Sequence, residues 1–143
     1  MRKYEQSSNR THSFTLIEIM IVVVIIGMIA ALAVPKLMGN LEKAKVETTK
    51  AALGSLKSAV RNFKMDTGEY PTKLEELLQT TGNEKWDGPY LEVKVLPKDG
   101  WDNDFQYTLT NDNFGFDIIS LGADKTTGGD GVNKDLSCWG DEE

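Results

Sequence analysis

Glu18 is the only charged residue in the 21-residue run FTLIEIMIVVVIIGMIAALAV at positions 14–34. A carboxylate in hydrocarbon costs about 2.5 to 3.5 kcal/mol on insertion scales, so the chemistry open to it there is ion pairing with a positive partner. A second set of oxygen donors lies in the stretch 121–135, LGADKTTGGDGVNKD, where Asp124, Asp130 and Asp135 are spaced among glycines. Calcium takes six to eight hard oxygens, carboxylate and carbonyl, and glycines let a short loop curl its carbonyls inwards. The spacing is not that of an EF-hand, and a solvated acidic loop is the competing reading, because Gly and Asp are ordinary turn residues.

Other chemistries find little material. The single histidine, His12, precedes the apolar run, so the rest of the chain has no imidazole for a Ser/His/Asp or Cys/His site. Cys138 is the only cysteine, which excludes an intramolecular disulfide and a cysteine zinc cluster. There is no G-x-S-x-G, P-loop or G-x-G-x-x-G. A paired-carboxylate hydrolase survives on composition alone, yet a non-enzymatic protein is the simpler reading.

The elements that must position these groups begin with a helix. About 20 apolar residues span a hydrocarbon core of roughly 30 Å, so 14–34 is expected to cross a bilayer once. The run exceeds the h-region of a secretory signal, and Pro35-Lys36 follow it without a small-x-small cleavage site. Residues 1–13 carry a formal +2; with −6 over the whole chain, −8 is left to the remainder. Lysines at 36, 43, 45 and 50 make the positive-inside comparison nearly a tie. Long domains translocate largely regardless of charge, which favours a short cytoplasmic tail and an exported domain. An acidic domain also makes nucleic acid an unsuitable partner.

Beyond Pro35, Leu41, Ala44, Thr48, Ala52, Leu56, Ala59 or Val60, and Phe63 recur at three- to four-residue steps, so the helix is expected to continue to about Lys64. Gly27 and Pro35 are interior breakers, and a kink or a melted stretch is expected between them; Gly27 with Ala31 also forms a small-xxx-small pair suited to helix packing. Thr72 and Glu75 have capping-box spacing ahead of Leu74, Leu77 and Leu78, predicting a short helix to about Thr80. Strand-like runs at 105–109 and 114–119 flank Asn111-Asp112-Asn113, a hairpin signal, with Phe105, Tyr107 and Leu109 on one face. Leu136 and Trp139 form an apolar anchor after the glycine-rich loop. The fold class is α+β: one long N-terminal helix, its transmembrane half continuing into an amphipathic half that packs on a small antiparallel sheet, with a C-terminal loop.

The segment SFTLIEIMIVVVIIGMIAALAVP resembles the N-terminus of type IV pilins and pseudopilins. The continuing helix, Gly68-Glu69-Tyr70-Pro71, Pro97-Lys98-Asp99-Gly100-Trp101, and the Ser120–Asp124 loop ending at Trp139 resemble the major pseudopilin of bacterial type II secretion systems, over nearly the whole chain. That resemblance implies a cytoplasmic leader at 1–13, cut by a prepilin peptidase between Ser13 and Phe14, with N-methylation of Phe14. It implies a transmembrane assembly helix at 14–34 and a periplasmic pilin-like domain at 35–143, in a single-pass protein of the bacterial inner membrane. Its partners are further copies in a homopolymer, minor pseudopilins, and an inner-membrane assembly platform with its ATPase. Carried over to this chain, calcium is held by the Leu121 carbonyl, Asp124 and Asp135, with the Thr127 carbonyl and Asp130 as further ligands.

Cleavage before Phe14 creates an α-amine with an unperturbed pKa of about 7.7 to 8.0, a ready counter-ion for Glu18 of a neighbouring copy. At 4 Å such a pair is worth on the order of 4 kcal/mol at an effective dielectric of 20, before desolvation is subtracted. The chain departs from the family pattern at Ser13, where Gly is usual, at Gly100, where Pro is common, and at Asp102 and Asp104, where a Gly-x-Pro often follows the Trp. Taken together, the expectation is a structural subunit of a pseudopilus that helps drive folded proteins across the outer membrane. A major type IV or competence pilin is the alternative within the superfamily, and a monomeric membrane-anchored calcium-binding or enzymatic domain is the alternative outside it.

Overall fold

The structure is a computed structural model and describes residues 14–80 and 82–140. Ser13 and the rest of the expected leader lie outside the described residues. The chain divides into two units, one ending at Gly39 and the other beginning at Asn40, and helix α1 (Leu16–Thr67) contributes to both.

In the first unit, Thr15 starts the helix: its carbonyl accepts the Glu18 N–H at 3.1 Å and its Oγ1 accepts the same N–H at 3.2 Å. This side-chain acceptor satisfies one of the donors that every helix N-terminus leaves free. Every residue from Phe14 to Gly39 is exposed. The expected melted stretch is absent, for α1 runs through Gly27 and Pro35 without interruption. A proline deletes a single backbone donor, and the neighbouring turns retain theirs.

In the second unit, α1 buries Thr49, Leu53, Leu56, Ala59, Val60, Phe63 and Thr67 along one stripe. The stripe differs from the expected one at its start. Leu41, Ala44 and Thr48 are exposed and Thr49 faces inward, because the loop at 97–104 seats its Gly100 against Thr49. The helix ends three residues later than expected: Thr67 Oγ1 donates to the Phe63 carbonyl, and Gly68 (φ 88) takes the left-handed conformation while its N–H closes on the Lys64 carbonyl. Glycine pays no Cβ penalty there, which makes it the usual residue just past a helix.

The expected short helix is only a 3₁₀ turn, Leu74–Leu77. Lys73 occupies its N-cap without a side-chain bond, and Thr72 bonds Glu76 rather than capping. Its leucines still join the core: Leu53, Leu56, Val60, Phe63, Leu74, Leu77, Leu91, Phe116 and Ile118 form one cluster. Strand β1 (Gln106–Leu109) pairs antiparallel with β2 (Phe116–Ser120), and β3 (Leu136–Ser137) pairs antiparallel with the other edge of β2. Central β2 alternates inward Phe116, Ile118 and Ser120 with half-covered Asp117 and Ile119, the period-2 pattern of a half-buried strand. Leu109, at the end of edge strand β1, is exposed instead of packing inward with Tyr107. Strand β3 was not expected from the sequence; two residues are too few to show an alternation.

The hairpin turn is held by Asp112, whose Oδ1 accepts the Thr110 hydroxyl at 2.7 Å and the Phe114 and Gly115 N–H groups at 2.8 and 3.0 Å. These bonds, the Thr110 hydroxyl foremost, hold the Asp112 carboxyl below its usual range.

Candidate functional site

Of the residues the sequence singles out for assembly, Phe14 and Glu18 are described and Ser13 is not. Phe14 is 72% exposed, and Glu18 sits in the first turn of α1, where a negative side chain also suits the positive end of the helix dipole. Among the described residues, no cation lies within ion-pair distance of Glu18. Around it, Leu16, Ile17, Met20, Ile21, Val24 and Ile25 are all exposed.

The C-terminal loop is closed at its neck. The Ala123 N–H donates to the Val132 carbonyl at 3.0 Å, and Asn133 and Lys134 N–H groups turn back to the Asp130 and Gly131 carbonyls around a 3₁₀ turn, Gly131–Asn133. Gly122 and Gly129 have positive φ, and a Cβ on either would strike backbone of residues 132–133, so side chains are excluded where the two arms touch. Behind the loop, Trp139 stacks on Phe114 and Phe116, its indole N–H bonds the Phe116 carbonyl at 2.7 Å, and Lys57 of α1 covers the ring at 3.7 Å. Leu136 and Trp139 therefore do act as the anchor.

The five expected calcium ligands are spread over this loop. Asp124 and Asp130 are exposed, and Asp124 accepts the Thr126 N–H at 3.1 Å; Thr127 is exposed; Leu121 is half-buried. Asp135 reaches across the loop, accepting the Gly128 N–H on Oδ2 at 2.9 Å, while its Oδ1 is buried with no hydrogen-bond partner. Among the described residues, no three acidic, histidine or cysteine side chains converge as a metal cage. A cation here must draw on backbone carbonyls, which is how calcium differs from zinc. The orphaned, sealed Asp135 oxygen is the feature of the loop that fits such an ion, because a buried acceptor without a partner is costly.

Sequence reasoning missed a buried polar network at the base of the loop. Asp99, 6% exposed, accepts the Trp101 and Asn103 N–H groups on Oδ1 and the Ser120 hydroxyl on Oδ2 at 2.7 Å. Gly100 approaches α1 so closely that a Cβ would strike the Lys45 carbonyl, and its N–H donates to Thr49 Oγ1 at 2.8 Å, a bond that a Pro at this place could not make. Asp102 has φ 65, a left-handed conformation that Gly adopts without strain and other residues rarely take. The signal was the Asp99 to Asn103 spacing, an acidic side chain ahead of backbone donors two and four residues on. Lys45 and then Trp101 hydrogen-bond Glu42 and lower its carboxyl pKa. Cys138, half-buried beside Asp117, has its thiol pushed up to about 11, chiefly by burial, the direction opposite to that of an activated thiolate.

Residues 36–139 match the family described as type II secretion system (T2SS), protein G, and residues 8–34 match the prokaryotic N-terminal methylation motif. The chain belongs to the type II secretion system protein G family. This protein G family member is 40% identical to the type II secretion system core protein G of Vibrio cholerae over 133 residues, covering 88% of this chain and 90% of that one. It is also 40% identical to the core protein G of Pseudomonas aeruginosa, covering 97% of this chain and 99% of that one. Among solved structures it is similar to the major pseudopilin from the type 2 secretion system of enterohaemorrhagic Escherichia coli, with a TM-score of 0.55 and 28% identity over 73% of this chain and 95% of that one. The α+β pilin-like fold expected of a protein G family member is thus observed, as is the apolar helix suited to membrane anchoring.

Proposed function

We propose that this chain is a structural subunit of the type II secretion pseudopilus, polymerising through its N-terminal helix to help drive folded proteins across the outer membrane. The observation that carries this is the uncovered N-terminal stretch 14–39, apolar through Val34 but for one carboxylate near its start, on a chain of the protein G family. A prepilin peptidase cuts between Ser13 and Phe14 and methylates the new amine. Glu18 then pairs with the Phe14 amine of an adjacent copy, neutralising two charges that are each costly in lipid. Apolar packing tolerates sliding; an unpaired buried charge does not, so this pair sets the stagger. The protein is not an enzyme. Force comes from an assembly ATPase acting through an inner-membrane platform, with minor pseudopilins as further partners, and residues 35–143 lie in the periplasm. Single cysteines placed on the exposed face of residues 16–39 in a Cys138→Ser background should crosslink into a ladder of oligomers in cells. A chain that stays monomeric and keeps residues 1–13 would refute the reading.

Calcium is the second part of the proposal. The Leu121 and Thr127 carbonyls with Asp124, Asp130 and Asp135 would hold it, and the ion would supply charge that ties the two arms of a loop lacking an apolar core of its own. Binding to the folded loop alone would stabilise the second unit by linkage. The Asp124→Ala and Asp135→Ala variants should lose the calcium-dependent rise in melting temperature. Identical melting of the unsubstituted protein in calcium and in chelator would remove the ion from the account.

A further inference from the structure

The Leu121 carbonyl and the Gly122 N–H belong to one planar peptide group, so whatever fixes the N–H fixes the direction of the carbonyl. Ser120 Oγ accepts that N–H at 3.2 Å, and the Ser120 hydroxyl donates to Asp99 Oδ2 at 2.7 Å. Ser120 is fully buried and Asp99 nearly so. On the far side of the same residue, the Gly122 carbonyl accepts the Asn103 Nδ2–H at 3.1 Å, and the Asn103 N–H is itself held by Asp99 Oδ1 at 2.8 Å. Both backbone groups of Gly122 are therefore governed by Asp99. The loop carrying Asp99 is in turn seated on α1 through the Gly100 N–H to Thr49 Oγ1 and the Trp101 indole N–H to Glu42 Oε2 at 3.0 Å.

We propose that Asp99 and Ser120 are positioning residues that aim the Leu121 carbonyl at calcium, and that the 97–104 loop couples ion binding to its own seating on α1 at Thr49. This rests on the calcium reading above. Nothing in the network touches the ion; it orients a carbonyl that does. Coupling between two such events is reciprocal, so loosening the loop at Thr49 weakens calcium binding by the factor by which calcium tightens the loop.

The test uses the full chain in dodecylphosphocholine micelles, titrated with calcium chloride by calorimetry, with amide exchange at Gly100 followed by NMR in calcium and in EGTA. Ser120→Ala should raise the calcium Kd at least tenfold and Thr49→Val at least threefold, and calcium should slow exchange of the Gly100 N–H at least threefold in the unsubstituted chain. Variants that melt lower yet keep the original Kd, beside a Gly100 exchange rate indifferent to calcium, would overturn the proposal and leave the calcium site standing. An unsubstituted chain that binds no calcium would overturn both. If Ser120→Ala does not fold, Thr49→Val and the Gly100 exchange rate decide alone.

Discussion

Residues 16–39 and 49–67 share one helical backbone in α1 and differ in what covers them. In the first stretch nothing is buried, the large apolar side chains running from Val22 at 47% exposed to Leu32 at 84%. In the second, every third or fourth side chain is sealed, with Leu56 and Val60 at 0%. Helix formation is therefore a local matter in both, while stability has different sources. The 49–67 stretch finds its apolar partners in its own chain, in Leu74, Leu91, Phe116 and Ile118. The 16–39 stretch leaves its apolar surface uncovered and carries a single carboxylate, Glu18, near its start.

Equal truncations in the two stretches would test the contrast most directly. Leu56→Ala should destabilise the second unit by about 2 to 5 kcal/mol in denaturant unfolding, the range for a leucine cavity in a packed core. Leu32→Ala should leave the same transition within about 0.5 kcal/mol, as surface substitutions do. Equal losses would mean that the first stretch is structurally part of the folded unit.

Next in size is the effect of Glu18→Ala: on the proposed pairing it should cut filament yield by about a hundredfold or more, since a partner amine would be left unpaired in lipid. The melting temperature of the second unit should not move. Filaments at ordinary yield would show that apolar packing alone sets the stagger.

Gly100→Ala should cost about 1 to 3 kcal/mol in unfolding, since its Cβ overlaps the Lys45 carbonyl and the loop must lift from the helix. A neutral result would show that α1 gives way at Lys45, where cover is thinner.

The smallest effect concerns Glu42. Its folded pKa lies below the ordinary 4.5 through its bonds to Lys45 and Trp101. Its contribution is therefore complete above about pH 4.5 and is lost as pH falls through the lower folded value. The Trp101 indole N–H signal should hold steady at neutral pH and shift only in that acidic window. A shift centred above pH 4.5, or one unchanged in Glu42→Gln, would break the assignment.

Much of this arrangement was legible in the chain, and the pattern of what was not is instructive. The apolar run, the helix beyond it and the hairpin around Asp112 follow from local periodicity and turn chemistry, and they were found at nearly their true limits. Thr72 and Glu75 looked like a cap but do not act as one, since the Glu76 carboxyl, held at 8% exposure, claims the Thr72 hydroxyl instead. The inward turn of Thr49 could not be read from a row of threonines and alanines, because its reason is Gly100, fifty-one residues away. Asp135 was named as a ligand by resemblance, but its sealed, unpaired oxygen is a fact of packing.

Alone, the sequence determined that a charge must sit in an apolar helix, that no histidine chemistry is open beyond it, and that strands follow the helix. These depend on residue type and short-range period, which the chain carries at every point. Only the tertiary structure decided that the buried helix face begins at Thr49, which edge receives β3, and that the loop carrying Asp99 joins the C-terminal loop to α1. Those choices turn on contacts between segments far apart in sequence, whose geometry exists only once the helix and the sheet have packed.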